Sequence, residues 1–173
     1  MKKIFTLCVV ALMAVTTVKA QHEIGAIVGG LNGASYKYWF NNAMALQADL
    51  AVGLTEAATD GGSGPMWDFT LNPNFLYHFQ LPQNFKVYVG GGVNIGMCSP
   101  LITYSYGYGY GGTTSILNGK FGVNADAGVS YDIQAAPIVL ALDFRPGYGL
   151  MFNDGANASF FDWKLAFAVR YRF

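Results

Sequence analysis

Beyond residue 20 this chain of 173 residues lacks an apolar run long enough to cross a bilayer as a helix, which takes about 20 residues. Charge is scarce too: Asp, Glu, Lys and Arg make up 12% of the sequence, against about 25% in typical soluble domains. Acids and bases balance at ten each, and no basic patch invites nucleic acid. Cys8 and Cys98 are the only cysteines, which excludes a disulfide framework. They and the two histidines, His22 and His78, show no metal-ligand spacing. No Gly-rich loop is followed by a helix and a Lys-Ser/Thr pair, so no phosphate loop or other cofactor is expected. What remains is apolar: 53% of residues are hydrophobic. A chain this apolar without a helical span has to hide its apolar surface in another way.

The N-terminus pairs Lys2 and Lys3 with an apolar run from Ile4 to Val15, then reaches Val18-Lys19-Ala20. These features predict a secretory signal peptide over residues 1–20, removed together with Cys8, and one mature domain over 21–173. Three of the ten basic residues would leave with it, so the mature chain carries seven basic and ten acidic side chains, 7 − 10 = −3. Cys98 then stands alone, as a free or intermolecularly bonded thiol or as a small semi-buried residue.

The mature sequence alternates. In the last fourteen residues Phe161, Trp163, Leu165, Phe167, Val169, Tyr171 and Phe173 oppose Asp162, Lys164, Ala166, Ala168, Arg170 and Arg172. That is a strand with one apolar and one polar face. The same design recurs in Ile138 to Tyr148, Lys120 to Asp132, Phe85 to Met97, Trp67 to Phe79, Met44 to Leu54 and Ser35 to Phe40, and more weakly in the glycine-rich Glu23 to Leu31. The total is eight strands. Pro73 removes a ladder donor and predicts a bulge or local irregularity. Turns are expected at Asn32-Gly33, Asn41-Asn42, Gln80 to Asn84 and Ile133 to Ala136, and longer loops at Thr55 to Pro65, Cys98 to Leu117 and Phe152 to Ser159. Strands running up and down would then gather the tight turns at the end that holds both termini and the long loops at the other, as transmembrane barrels do.

Alternation alone does not say which face is outward, because a soluble lipid-carrying barrel puts its apolar face inside. Side-chain size decides: eight strands enclose a space only just filled by side chains, and here the polar face is rich in Gly, Ala, Ser and Asn while the bulky aromatics lie on the apolar face. The aromatics therefore point out. Lys37, Asp49, Asp68, Lys86, Lys120, Asp126, Asp143, Arg145, Asp162, Lys164 and Arg170 point in, with Glu23, Asp132 and Arg172, where opposite charges need to pair. Trp39, Phe40, Trp67, Phe79, Phe85, Tyr131, Phe161, Trp163 and Phe173 fall at strand ends, where interfacial girdles sit. The expected fold class is all-β, an eight-stranded antiparallel up-and-down transmembrane barrel with a filled lumen.

These eight strands, the leader and the ending Leu165-x-Phe167-x-Val169-x-Tyr171-x-Phe173 resemble the small outer-membrane barrels of Gram-negative bacteria, similar to OmpX and the OmpA transmembrane domain. The resemblance implies a monomer in outer-membrane lipid with periplasmic termini and extracellular loops. It further implies that the strand ending at Phe173 is read by the barrel-insertion machinery. Wall tethering is not implied.

Some barrels of this size are lipid-modifying enzymes of the outer leaflet, which need a serine and a histidine within hydrogen-bond reach near the outer rim. His22 and His78 fall at the opposite end, and Ser99, Ser105, Ser115 and Ser159 lack a histidine partner. The expectation is a non-enzymatic barrel with a structural or surface-interaction role toward an unnamed extracellular partner. The alternatives are an outer-leaflet lipid enzyme and a narrow solute pore. Tyr104, Tyr106, Tyr108 and Tyr110, in the segment YSYGYGYGG, are the candidate contact residues, and their period of two predicts a hairpin with its turn at or near Gly111-Gly112.

Overall fold

The computed structural model describes residues 21–59, 62–106, 110–115, 117–153 and 156–173, with side chains described outside 55–66, 100–116 and 153–156. The leader read in residues 1–20 lies outside the described residues. Nine strands follow in order: β1 (His22–Gly29), β2 (Asn32–Trp39), β3 (Met44–Thr59), β4 (Gly62–Gln80), β5 (Phe85–Tyr106), β6 (Tyr110–Ser115), β7 (Asn118–Asp132), β8 (Ile138–Asn153) and β9 (Ala156–Arg172). Eight of them close a ring of antiparallel neighbours, sealed where β1 pairs with β9 from Glu23↔Arg172 to Gly29↔Ala166. Among the described residues β6 pairs with the upper part of β5 alone, as a hairpin standing on the ring.

The predicted phase holds. Along β9, Phe161, Trp163, Leu165, Phe167, Val169 and Tyr171 are exposed, while Asp162, Lys164, Ala166, Ala168 and Arg170 are buried. A period of two with charges on the buried side is the reverse of a soluble barrel, so the outward belt belongs in hydrocarbon. Trp39 departs from the girdle expected of it. It shares a strand face with Ser35 and Lys37, is buried in the mouth of the barrel, and donates its indole N–H to Glu23 Oε1 at 2.8 Å.

The connections are shorter than the alternation predicted. Pairing continues from Thr55↔Met66 to Thr59↔Gly62 and up to Asn153↔Ala156, so most of the loops expected at Thr55 to Pro65 and Phe152 to Ser159 are ladder. Cys98 likewise lies within β5, paired with Asp68 and Asn118, its side chain buried. The reason is physical: above the belt neither face has to be apolar, so alternation fades, while backbone donors and acceptors still gain from a ladder. Gly111 and Gly112 are strand residues opposite Ser105 and Tyr104 in a ladder that ends at Tyr106↔Tyr110; residues 107–109 lie outside the described residues.

Asn32-Gly33 is not the first turn either. Gly29 takes φ +120, Gly30 and Leu31 make the bend, and Asn32 opens β2 while its amide accepts from Gly29 N at 3.1 Å and donates to Gly29 O at 2.9 Å. This tight turn lies at the end away from the termini, so the tight turns are not all at one end. At Pro73 the irregularity is a gap in the ladder and not a bulge. Leu71↔Ile95 and Asn74↔Gly92 share one register, and the residues between drop out of the β4–β5 ladder without a shift.

One asymmetry shapes the whole. β1 and β2 have eight residues each, β3 sixteen and β9 seventeen. Above the short hairpin β3 pairs directly with β9, from Ala57↔Asp162 to Thr59↔Phe160. The wall passes from eight strands to six. Gly30 bridges the junction by donating its N–H to Leu165 O at 2.8 Å, and a side chain on Gly53 would strike the Gly30 carbonyl and the Asp68 carboxylate.

Candidate functional site

Inward positions of all eight ring strands meet in the lumen, where their charges stack in three levels. At the end away from the termini, Lys120 lies 2.7 Å from Asp68 and 2.8 Å from Asp162, and Lys164 lies 3.0 and 2.6 Å from the same two acids. Two ammonium groups thus share two carboxylates in a closed square. It is roofed by Phe160, whose ring centroid is 4.3 Å from Lys120 Nζ, and by Cys98 and Met151.

At mid-height Arg145 reaches three acids: Asp49 at 2.5 Å, Asp126 at 2.9 Å and Asp143 at 2.9 Å. A guanidinium presents five donors in a planar fork and is suited to this. Tyr88 donates its hydroxyl to Asp143, and Arg170 donates to Ser35 Oγ at 2.8 Å and lies 3.5 Å from Asp143. Lys37 lies against an imidazole and an aromatic ring, 3.3 Å from His78 Nε2 and 4.6 Å from the Tyr88 centroid. Beneath Lys37, at the mouth beside the termini, Arg172 binds Glu23 at 2.6 Å and Asp132 at 2.7 Å, and Lys86 binds Asp132 at 2.7 Å.

Each level balances. Two bases face two acids above and at the mouth, and Lys37, Arg145 and Arg170 face Asp49, Asp126 and Asp143 between. Charges removed from water cost several kcal/mol each unless paired in this way, as an order of magnitude. The consequence is a column filled by side chains: Arg170, Tyr88, Lys37, Lys120, Phe160, Leu31 and Leu76 are each fully buried. Period-two reading found the charged members. It also set Tyr88 and His78 on the polar phase, where they are buried beside the charges; Trp39, assigned to a girdle, and Ser35 lie on the inward phase of β2 and could have been counted by it.

The tyrosines are placed apart from this column. Tyr104 and Tyr106 belong to the upper part of β5 and Tyr110 to β6, joined by Tyr106↔Tyr110, while Tyr108 lies outside the described residues. Both described histidines lie toward the end that holds the termini. His78 is buried against Trp39 and Tyr88, and His22 Nδ1 lies 2.8 Å from the Tyr36 hydroxyl beside the C-terminus. Among the described residues no group of three or more His, Cys, Asp or Glu is arranged to hold a metal ion.

An apolar belt around a charge-filled ring of eight up-and-down strands defines a transmembrane β-barrel of the smallest kind. Comparison with solved structures agrees. The chain is similar to Neisserial surface protein A, with a TM-score of 0.57 and 15% identity over 88% of this chain and 93% of that one. It is also similar to the N-terminal β-barrel domain of Pseudomonas aeruginosa OprF, with a TM-score of 0.50 and 17% identity over 88% and 95%. No protein-family profile and no curated sequence matches it. The fold is that of the small eight-stranded outer-membrane barrels.

Proposed function

We propose that the chain is an outer-membrane protein with a structural or surface-interaction role, exported by a leader over residues 1–20 that is cut before Gln21. The barrel stands as a monomer with both termini in the periplasm and presents its longer hairpins outside the cell, where they meet an extracellular partner without turning it over. The observation that carries this reading is the position of β5–β6: a hairpin free of charge and of proline from Leu101 to Ser115, rising from the longest strand at the end opposite the termini. Tyrosine there supplies a rigid ring with a wet hydroxyl, and glycine supplies backbone access.

The filled column speaks against a solute pore. The distance of both histidines from the hairpin speaks against serine–histidine chemistry at that rim.

Epitope tags test the reading. A tag between Tyr106 and Tyr110 is expected to bind antibody on intact cells, and a tag at the Pro82–Asn84 turn only after permeabilisation; the opposite pattern overturns the orientation. Replacing Tyr104, Tyr106, Tyr108 and Tyr110 by serine is expected to lower attachment of expressing cells to a coated surface severalfold. Unchanged attachment overturns the contact role.

A further inference from the structure

We propose that the mouth of the barrel beside the termini is a binding site for the phosphate group of a small molecule. The compartment it opens to rests on the orientation proposed above; the site itself rests on geometry.

A cleft of about 480 Å³ lies there, within the range of about 300–1,000 Å³ usual for small-molecule sites. It forms because the inward phase runs on past the charged lumen. Two residues beyond Glu23, Trp39 and His78 that phase reaches Gln21, Asn41 and Gln80, and these three amides line the cleft with Asn42. Trp39, Lys86, Asp132 and Arg172 make up the rest of the lining. The rim is tied together. Asn41 Oδ1 accepts the N–H groups of Ala43 and Met44, both at 2.8 Å, and Gln80 Nε2 donates to Asn42 O at 2.9 Å, which joins the β2–β3 turn to the end of β4.

What the cleft still offers is mostly N–H. Asp132 accepts Lys86 at 2.7 Å and Arg172 at 2.7 and 3.0 Å. Glu23 Oε1 accepts Trp39 at 2.8 Å and Arg172 at 2.9 and 2.6 Å. The guanidinium fork of Arg172 is therefore filled by these two acids. Lys86, whose Nζ lies 4.8 Å from the Trp39 ring centroid, gives Asp132 one of its three N–H groups and keeps two. Asn41 has its oxygen taken and its NH₂ left. Two bases balance two acids at this level, but Glu23 is fully buried and does not line the cleft, so Lys86 and Arg172 face it against Asp132 alone. The cleft carries one positive charge in excess.

A carboxylate is best met by a guanidinium fork, and here the fork is occupied. A phosphate suits what remains, a point-charge ammonium with amide N–H groups arriving from separate turns. A neutral solute would leave the excess charge unmatched.

Titration calorimetry of the full barrel in nonionic detergent, with glycerol 3-phosphate as the probe, tests the site. The wild type is expected to bind one equivalent saturably and to give no signal with glycerol. Lys86→Met is expected to weaken binding at least about tenfold, the loss of one charge-assisted hydrogen bond, and Gln80→Leu about threefold. Arg172 keeps Asp132 paired in the first variant, heat-resistant electrophoretic mobility checks the fold of both, and Gln80→Leu decides alone if Lys86→Met does not fold. Absence of saturable binding by the wild type, or unchanged affinity in the folded variants, overturns the proposal. Displacement of the probe by phosphatidylglycerol mixed into the micelles assigns the site to a lipid headgroup, and persistence of the probe assigns it to a free phosphate ester. The tags above, and not this titration, decide the compartment.

Discussion

Arg145 touches three carboxylates, and among the described residues no other cation lies as close to Asp49 or Asp126. Arg145→Met leaves two buried acids without their nearest partner, and breaking a buried pair on one side costs about 3–5 kcal/mol. Urea unfolding in lipid vesicles is expected to show a loss of that order; a loss below about 1 kcal/mol would mean that water reaches this level of the lumen. Lys120 and Lys164 behave differently because they share Asp68 and Asp162. Single Lys→Met changes there are expected to be non-additive with the double change, by about 0.5–3 kcal/mol in a double-mutant cycle. Cys98 supplies a third test. Its side chain is fully buried beneath Phe160, so a bulky impermeant maleimide is expected to label it only after denaturation, and rapid labelling of the folded protein would remove the roof from the upper level.

At the scale of elements, the β5–β6 hairpin is held to the rest by chain continuity and by its own ladder, whereas the ring closes through Cys98↔Asn118 below it. Replacing residues 101–115 by a short turn is expected to leave the folded barrel's heat-resistant electrophoretic mobility intact; its loss would show that the hairpin props the ring. The sequence was most legible where one face must meet lipid and the other must meet charge, from Lys120 to Asp132 or along β9, because there a one-residue slip would invert every side chain. It was least legible above the belt and at β1–β2. Thr55 to Pro65 looked like loop because nothing forces alternation there, and the Asn32-Gly33 signal was displaced because Asn32 serves the turn from its edge, as an amide to Gly29. The lumen was legible as a set of charges, not as levels, since which acid meets which base depends on strand stagger that no single strand reveals.

For the whole molecule, neutral charge levels and a filled column predict a barrel that does not conduct. Purified protein in a planar bilayer is expected to show no unitary current steps; steady steps would mean that the salt-bridge levels open. Membrane residence follows from the same arrangement seen from outside. The most direct test of the inverted barrel is a nitroxide scan along β9 in lipid vesicles, with collision rates measured against oxygen, which partitions into lipid, and against a charged nickel complex, which does not. The account predicts high oxygen exposure at Phe161, Trp163, Leu165, Phe167 and Val169, and low exposure to both reagents at Lys164, Ala166 and Ala168. Nickel exposure at the aromatic positions, or oxygen exposure at the charged ones, would contradict it.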